Sequence, residues 1–243
     1  MRFLKRWLVL ALLAVLLLQI FFVSRITLMA LLAPQSTTFQ RSEFWRLAGA
    51  PGALRWQQKW RGYGQISEHL KRAVIASEDD DFVNHEGVEW EAVEKAWQRN
   101  AKAAQAAAER AAQNNKPVRA VTIRGGSTIT QQLAKNLLLS GERTLPRKAQ
   151  ELILTYALER LLDKRRILEL YLNHVEWGQG IFGAEAAAQH YFGKSAAQLN
   201  AWESARLAVM LPRPRYFEKL PRSDYLNHRT GVIVQRMRNT ELP

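Results

Sequence analysis

Four consecutive carboxylates, at residues 78–81, are the side chains of this chain whose types and spacing most directly suggest chemistry. Adjacent like charges and partial burial both raise a carboxyl pKa, so one member could exchange a proton near neutral pH. A general acid or base needs this property. The cluster also contrasts with the rest of the chain, since the 243 residues carry a formal net charge of +13. A solvated acidic turn is the alternative interpretation.

A metal role for this cluster is the weakest interpretation. A calcium loop beginning at Asp79 would need an oxygen ligand at its fifth position, glycine at its sixth and glutamate at its twelfth. The chain has Val83, Asn84 and Trp90 there, so the calcium loop is excluded. A metal–nucleotide site on Asp79 and Asp81 would usually belong to a large α/β domain, whereas little of this sequence predicts a parallel sheet.

A second candidate region is the glycine-containing segment RGGSTITQQLAKN, residues 124–136. Its glycines permit unusual backbone angles, and Ser127 or Thr128 can cap the helix predicted to follow. Free amide groups and the helix dipole would then face a bound anion. Residues four apart would form a polar strip beside the apolar face of this helix. The strip consists of Gln131, Gln132, Lys135 and Asn136. An ordinary capped helix with a solvated face is the alternative.

Cations surround one carboxylate in the segment RTLPRKAQELILTYALE, residues 143–159. Arg147 and Glu151 are four apart and could form a surface ion pair, although the acid follows the base, the less favourable order. Such a pair contributes only about 0.2–0.5 kcal/mol. Together with Arg143 and Lys148, Arg147 would suit a pyrophosphate equally well, because guanidinium and ammonium groups both bind phosphate oxygens.

The remaining sequence predicts a mainly α protein that would position these residues. Ser67 is predicted to begin a helix that runs into the acidic cluster, and residues 89–99 are predicted to be helical. An alanine-rich helix over residues 101–112 is interpreted as an exposed insertion without chemistry. Residues 118–123 are the short strand candidate, and helical patterning dominates from Ser127 onward.

The segment of residues 171–214 is interpreted mainly as architecture. Its glycines at 178, 180 and 183 predict a tight loop between helices, and its alanine run at 184–188 predicts close helix packing. Three histidines lack metal-ligand spacing and are interpreted as structural: His85, His174 and His190.

An apolar stretch at residues 7–23 predicts a membrane-spanning helix, interrupted by Gln19. Its length of about 25 Å, at about 1.5 Å per residue, approaches the thickness of the hydrocarbon core. A cleaved signal peptide would have a shorter core and an Ala-x-Ala-like site, which does not follow convincingly. Preceding basic residues predict a cytoplasmic N-terminus and an outward-facing domain. They are Arg2, Lys5 and Arg6.

The amino-acid composition limits the classes of partner that this chain is expected to bind. The basic excess suits anionic lipid headgroups and phosphate-bearing lipid substrates. Nucleic acid is not expected, since the sequence has neither zinc-finger spacing nor a basic region leading into a zipper. With no cysteine, the chain has neither disulfides nor thiolate chemistry. We predict a stub and anchor over residues 1–27, a juxtamembrane connection over 28–65 and a catalytic domain over 66–243.

Together these segments resemble the peptidoglycan glycosyltransferase family, glycosyltransferase family 51. The resemblance runs from about Ile66 to Pro214 in the family's motif order. The motifs are EDDDFVNHEG, RGGSTITQQLAKN, RKAQE, YLNHVEWGQGIFGAEAAAQHYFGK and ESARLAVMLPRP. The resemblance implies a lysozyme-like helical glycosyltransferase domain behind an N-terminal transmembrane helix, in the inner (cytoplasmic) membrane with the domain on the periplasmic or outer face.

The resemblance also implies roles. Glu78 matches the general base that takes the proton from the 4-hydroxyl of lipid II, and undecaprenyl pyrophosphate then leaves with inversion at the anomeric carbon. Glu151 matches a second glutamate that assists the pyrophosphate and its divalent ion, Mg or Mn; no organic cofactor is implied. The implied substrate contacts are Phe82, Ser127, Gln131, Gln132, Lys135, Asn136, Arg143, Arg147 and Lys148. Implied partners are lipid II, a lipid-linked glycan chain, the membrane and cell-wall synthesis or division proteins.

Two other functions stay open at this stage. A lytic or hydrolytic muramidase-like enzyme on the lysozyme-like fold would use one catalytic glutamate, but it has less need of the cationic segment and the anchor. A catalytically idle scaffold of a cell-wall complex is the other.

No serine has a lysine three places later, so the penicillin-reactive Ser-x-x-Lys motif is missing and a monofunctional transglycosylase is expected.

Overall fold

The computed structural model describes residues 2–51, 54–113, 126–139, 141–142 and 144–243. In these residues the fold is mainly helical, as predicted. The helices are α1 (Arg2–Met29), α2 (Thr38–Ala48), α3 (Glu68–Glu78), α4 (Trp90–Gln113), α5 (Ile129–Leu138), α6 (Leu145–Leu161), α7 (Lys164–His174), α8 (Ala184–Phe192), α9 (Ala201–Met210), α10 (Pro214–Lys219) and α11 (Asp224–Arg236). The strands are β1 (Gln57–Gln58), β2 (Glu176–Gly178) and β3 (Ile181–Phe182), and two 3₁₀ turns cover Tyr63–Gln65 and Ala196–Gln198. The strand predicted at residues 118–123 lies outside the described residues.

The first helix, α1, is long and apolar enough to cross a membrane, judged by its length and composition. Its N-terminal turns are exposed, whereas Phe22, Ile26 and Met29 are buried against the rest of the protein. Arg166 of α7 donates from Nε to the carbonyl of Met29 at 2.7 Å and from Nη2 to that of Leu32 at 3.0 Å. The bond to Met29 satisfies a carbonyl group that the helix end leaves unpaired, and the bond to Leu32 holds the turn that follows the helix. The last turns of α1 therefore belong to the folded domain.

Helix α3 ends at the acidic cluster and is held by its buried face. Ser67 caps its first turn, as predicted, by accepting the N–H of His69. Leu70 and Val74, four residues apart, are fully buried, which is the spacing of one helix face. The helix packs on α9, and α9 packs on α11. Glu78 is thus carried to its place by a helix anchored in the core.

Helix α5 is in contact with α2, α6 and α7. Its apolar face contributes Ile129, Leu133 and Leu137, which are buried at 0–1% exposure. Of the polar residues of this helix, Lys135 is exposed and Gln132 and Asn136 are partly exposed, whereas Thr130 and Gln131 are buried. Helix α4 spans the two predicted helices of residues 89–112 as one continuous element.

Strands β2 and β3 lie between α7 and α8, and β1, from earlier in the chain, completes the small sheet. Its strand order is β1-β3-β2; β1 pairs parallel to β3, and β2 pairs antiparallel to β3 with an irregularity between Glu176 and Gly178. Gly180 and Gly183 have φ of +72° and +83°, and a Cβ at Gly180 would lie 2.0 Å from the carbonyl oxygen of Arg55. Both positions therefore need glycine, which confirms the predicted tight loop.

Candidate active site

A cavity of about 490 Å³ lies beside α5 and α6. The polar strip of α5 and the cationic turn of α6 both line it, so the structure brings two predicted regions from consecutive helices to one cavity. The predicted site residues in its lining are Ser127, Gln131, Gln132, Lys135, Asn136, Arg147, Lys148 and Glu151. Arg143, also predicted, lies outside the described residues.

The start of α5 is fixed by a capping box. Thr128 is the N-cap, and its hydroxyl accepts the N–H of Gln131 while the Gln131 side chain accepts the N–H of Thr128. The N–H of Ile129 is bound to Oδ2 of Asp79 at 2.9 Å. The prediction of free amide groups for an external anion is therefore wrong at these three residues, because side chains of the protein already accept their N–H groups. Asp79 serves as the anion at this helix start.

Glu78, the last residue of α3, has the surroundings expected of a proton acceptor. Its Oε2 accepts Nε2–H of Gln132 at 2.9 Å, and the side chain keeps partial exposure. Burial raises the pKa of Glu78, and the charge of Asp79 adds to this, while the Gln132 hydrogen bond and the charge of Lys135 act in the opposite direction. Glu78 does not itself line the cavity. Gln132 does, and its hydrogen bond to Glu78 connects this carboxylate to the cavity.

The other three carboxylates of the acidic cluster each have a different partner. Asp79 is buried, and its Oδ1 lies 2.8 Å from Nε2 of His85, which gives this histidine the structural role predicted for it. Asp80 is exposed and pairs with Arg236 at 3.0 Å. Asp81 is exposed and accepts a 2.6 Å hydrogen bond from its near neighbour Asn84. The solvated-turn interpretation thus fits Asp80 and Asp81, but neither Glu78 nor Asp79.

Phe82 is placed apart from the cavity. Its side chain is 0% exposed and lies in the core, with the ammonium of Lys164 4.6 Å from the ring centre. Lys164 also donates to the carbonyl of His85 at 2.6 Å and to Glu159 at 2.9 Å. Phe82 therefore packs the turn after the acidic cluster, and the structure does not bring it to the other predicted substrate contacts.

Both carboxylate oxygens of Glu151, in the cavity lining, are paired with cations of the same helix turn. Its side chain is buried, Oε2 accepts Nη1–H of Arg147 at 2.8 Å, and Oε1 accepts Nζ–H of Lys148 at 2.5 Å. The alternative of a plain surface ion pair is therefore excluded. The Nε–H of Arg147 is buried without a partner among the described residues. Two cations, Arg147 and Lys148, and the unpaired Nε–H of Arg147 therefore lie together at the cavity wall.

Two features of the site were missed by sequence reasoning. Tyr171 of α7 is buried, and its hydroxyl donates to Oε1 of Gln132 at 3.0 Å. Burial, together with the nearby charges of Glu78 and Asp79, raises the pKa of Tyr171 well above its ordinary range, so it stays a donor. Glu176 lines the cavity and is held by Nε and Nη2 of Arg215 at 2.8 and 3.0 Å. Tyr171 fitted an apolar helix face in the sequence, and the partner of Glu176 lies far along the chain.

The family model and the similar proteins that match this chain all indicate the same family. A family model described as Transglycosylase matches residues 50–238. The chain is similar to the biosynthetic peptidoglycan transglycosylase of Bordetella avium (strain 197N), with 54% identity over 210 residues, which cover 86% of this chain and 82% of the relative. It is 48% identical over 238 residues to the protein of the same name from Herminiimonas arsenicoxydans, covering 98% of this chain and 96% of the relative.

Proposed function

The chain belongs to the transglycosylase family, and we propose that it elongates glycan strands from lipid II with release of undecaprenyl pyrophosphate. Peptidoglycan transglycosylase activity, a helical lysozyme-like fold and lipid-linked glycan substrates follow from the family match and the near-full-length relatives. The identity of the lipid substrate and the roles of individual residues are the proposal. One observation carries it: a raised-pKa carboxylate, Glu78, is joined through Gln132 to a cavity with clustered cations.

In the proposed reaction Glu78 is the general base. It takes the proton from the 4-hydroxyl of the acceptor sugar, and the hydroxyl oxygen attacks the anomeric carbon of the donor sugar. The attack comes from the face opposite the pyrophosphate, so the configuration inverts as the bond from that carbon to the pyrophosphate oxygen breaks and the electron pair leaves with the pyrophosphate. A base with a raised pKa is suited to this proton transfer at neutral pH.

The cationic wall is proposed to stabilise the leaving group. Negative charge builds up on the pyrophosphate as the bond breaks, and preorganised cations stabilise such charge most strongly away from bulk water. Lys135, Arg147 and Lys148 supply this charge in the cavity lining. Glu151 fixes the orientation of Arg147 and Lys148 by accepting from both. The amide side chains of the polar strip would bind the sugar hydroxyls.

A divalent ion, Mg or Mn, is proposed to accompany the pyrophosphate rather than to be held by the protein alone. Within the described residues, no group of three or more His, Asp or Glu side chains is arranged to hold a metal ion. Glu151, the implied metal-associated carboxylate, has both oxygens paired with Arg147 and Lys148. If such an ion accompanies the pyrophosphate, Glu151 is the carboxylate of the cavity lining proposed to lie beside it, and the ion would add positive charge at the leaving group.

We further propose that the protein crosses the inner (cytoplasmic) membrane once, with the catalytic domain on the periplasmic or outer face. The exposed apolar turns of α1 and the basic residues before them support this orientation. Transferase activity alone is proposed for these 243 residues, since no serine is followed by lysine at the spacing of a penicillin-reactive motif.

The test is a polymerisation assay with purified full-length protein and lipid II. The wild type should give glycan polymer, and Glu78→Gln should lower the rate by about 10²–10⁴-fold with unchanged folding. Asp80→Asn is the matched control, because it removes an exposed carboxylate of the same cluster and should stay active. Shortened strands from preformed glycan would indicate a muramidase-like enzyme, and full activity of Glu78→Gln would refute the assigned base.

A further inference from the structure

The anchor helix and the catalytic domain are joined by a pair of glutamines. Nε2 of Gln19 in α1 donates to Oε1 of Gln150 in α6 at 2.9 Å, and Nε2 of Gln150 donates to Oε1 of Gln19 at 3.0 Å. Each side-chain amide therefore both donates to and accepts from the other. Gln19 is the polar residue that interrupts the apolar stretch at residues 7–23.

The pair belongs to a continuous contact between α1 and the domain. Gln19, Phe22, Ile26 and Met29 are spaced three or four residues apart and so share one face of α1. The last three of these residues are buried in the hydrophobic core, and Arg166 caps the end of the helix. Helix α1 contacts α6 directly. Its C-terminal half is thus a structural element of the domain, not a loose tether.

An unpaired amide at this depth would be costly. Twenty residues of helix span about 30 Å of hydrocarbon, so a span that begins near Trp7 still includes Gln19. A side-chain amide in an apolar environment costs free energy unless its hydrogen bonds are satisfied. The reciprocal bonds satisfy both amides and favour one register between α1 and α6.

Gln150 is adjacent in sequence to the residue that organises the cationic wall. Consecutive side chains on a helix point about 100° apart. Gln150 contacts α1, while Glu151 lines the cavity and pairs with Arg147 and Lys148 within the same turn of α6. A shift of this turn relative to α1 would therefore move the carboxylate and both cations together.

We propose that Gln19 and Gln150 form a latch by which the anchor helix positions the Glu151 turn of α6 for binding the pyrophosphate of the donor. Gln19 is thereby a positioning residue for the reaction, although it lies in the anchor. This inference rests on the function proposed above for the cationic wall. Misplacement of binding groups by about 1 Å is enough to lower catalytic efficiency strongly.

Crosslinking tests the latch without relying on activity. The chain has no cysteine, so Gln19→Cys with Gln150→Cys introduces its two thiols at known places. In bilayer vesicles the shortest bis-maleimide should join them within one chain. The control pair is Ile20→Cys with Gln150→Cys, because Ile20 is the next residue of α1 and is 52% exposed. Equal crosslinking of the two pairs would overturn the proposed register.

Kinetics test the positioning role. Gln19→Leu and Gln150→Leu should each raise the KM for the lipid-linked donor chain, measured at saturating lipid II, about threefold or more for each hydrogen bond lost, with a smaller change in kcat. The double variant should be no worse than the more impaired single variant, since both remove the same pair of bonds. Ile20→Leu is the control and should match the wild type.

The outcomes separate this inference from the proposed function. A lower melting temperature with unchanged KM in both Leu variants would show a purely structural contact and overturn the latch as a positioning device. An active wild type together with an inactive Glu78→Gln would leave the proposed function intact in that case. Absence of polymer from the wild type would refute the proposed function, while the crosslinking result would still report on the register of α1 and α6.

Discussion

Oδ2 of Asp79 accepts the backbone N–H of Ile129 at 2.9 Å and so joins the end of α3 to the start of α5. The other oxygen, Oδ1, lies 2.8 Å from Nε2 of His85. Because this junction fixes the two helix ends against each other, Glu78 on one and Gln132 on the other come within hydrogen-bond distance. Asp79, the buried neighbour of the proposed base, thus fixes the position of Glu78 relative to Gln132.

Asp79→Ala is expected to lower the free energy of unfolding by about 1–3 kcal/mol, because it leaves the buried N–H of Ile129 without an acceptor. Chemical denaturation of the purified protein in detergent measures this loss. Asp81→Ala is the control and should change stability by less than about 0.5 kcal/mol, since Asp81 is exposed. Equal effects of the two variants would show that the junction does not stabilise the fold.

The sequence was sufficient for the parts of the site that are encoded locally. Apolar periodicity and the N-cap residue located α5, and the four-residue spacing of its polar strip correctly grouped Gln131 with Lys135 at the cavity. The side-by-side packing of α5 and α6 was not readable from periodicity, because periodicity shows which face of a helix is buried and not which helix it packs against. For the same reason the family resemblance, rather than local pattern, linked the two segments.

The sequence did not reveal the partner or the burial of residues whose type can play several structural roles. In addition to burial, the charge of Asp79 raises the pKa of Glu78, as expected for adjacent carboxylates, but the hydrogen bond of Asp79 to the first residue of α5, 50 residues later in the chain, was not predicted. Phe82 matched a substrate contact by motif but is fully buried. Gln19 was visible as a polar interruption, but its partner Gln150 could not be identified without the fold.

Glu151→Gln is expected to lower kcat/KM for lipid II polymerisation by at least about tenfold. The amide removes the negative charge that holds Arg147 and Lys148, and its NH₂ group would face one of these cations, so their positions at the pyrophosphate should loosen. Steady-state kinetics of the variant measure this loss. Glu109→Gln, on the exposed part of α4, is the control and should retain full activity. Wild-type kinetics in Glu151→Gln would contradict the role given to this carboxylate.

The buried carboxylate of Glu185 predicts how the free energy of unfolding depends on pH. Burial alone would raise the pKa of Glu185, but hydrogen bonds from Arg61, from the N–H of Ala196 and from the Ser195 hydroxyl outweigh it and lower the pKa to about 2. A pKa that is lower in the folded state stabilises the fold above the unfolded value, near 4.5, and this stabilisation is lost as the pH falls from there towards 2.

Denaturation curves between pH 6 and about pH 3 test this linkage. The wild type should lose free energy of unfolding steeply over the lower part of this range, and Glu185→Gln should lose less because it has no carboxylate to protonate. Glu68→Gln, an exposed residue in the first turn of α3, should follow the wild type. Parallel curves for wild type and Glu185→Gln would contradict the assignment.

Tyr171 is expected to control the proton affinity of Glu78 through Gln132. The Tyr171 hydroxyl donates to Oε1 of Gln132, which leaves the Gln132 NH₂ group to donate to Glu78. Burial raises the pKa of Glu78, and this donation acts against the increase. Because a general base must be deprotonated, kcat/KM should fall as the pH drops through the pKa of Glu78, above the ordinary carboxyl range.

Tyr171→Phe should move this acidic limb of the pH profile to higher pH. Without the hydroxyl, the amide of Gln132 is free to rotate, its donation to Glu78 weakens and the pKa of Glu78 rises further. The plateau at high pH should change much less than the midpoint, because the deprotonated base is then present in both proteins. Tyr225→Phe, at an exposed tyrosine, should leave the profile unchanged. A purely structural effect of Tyr171→Phe would lower the whole profile by a constant factor, so an unmoved midpoint would exclude the relay from Tyr171 to Glu78.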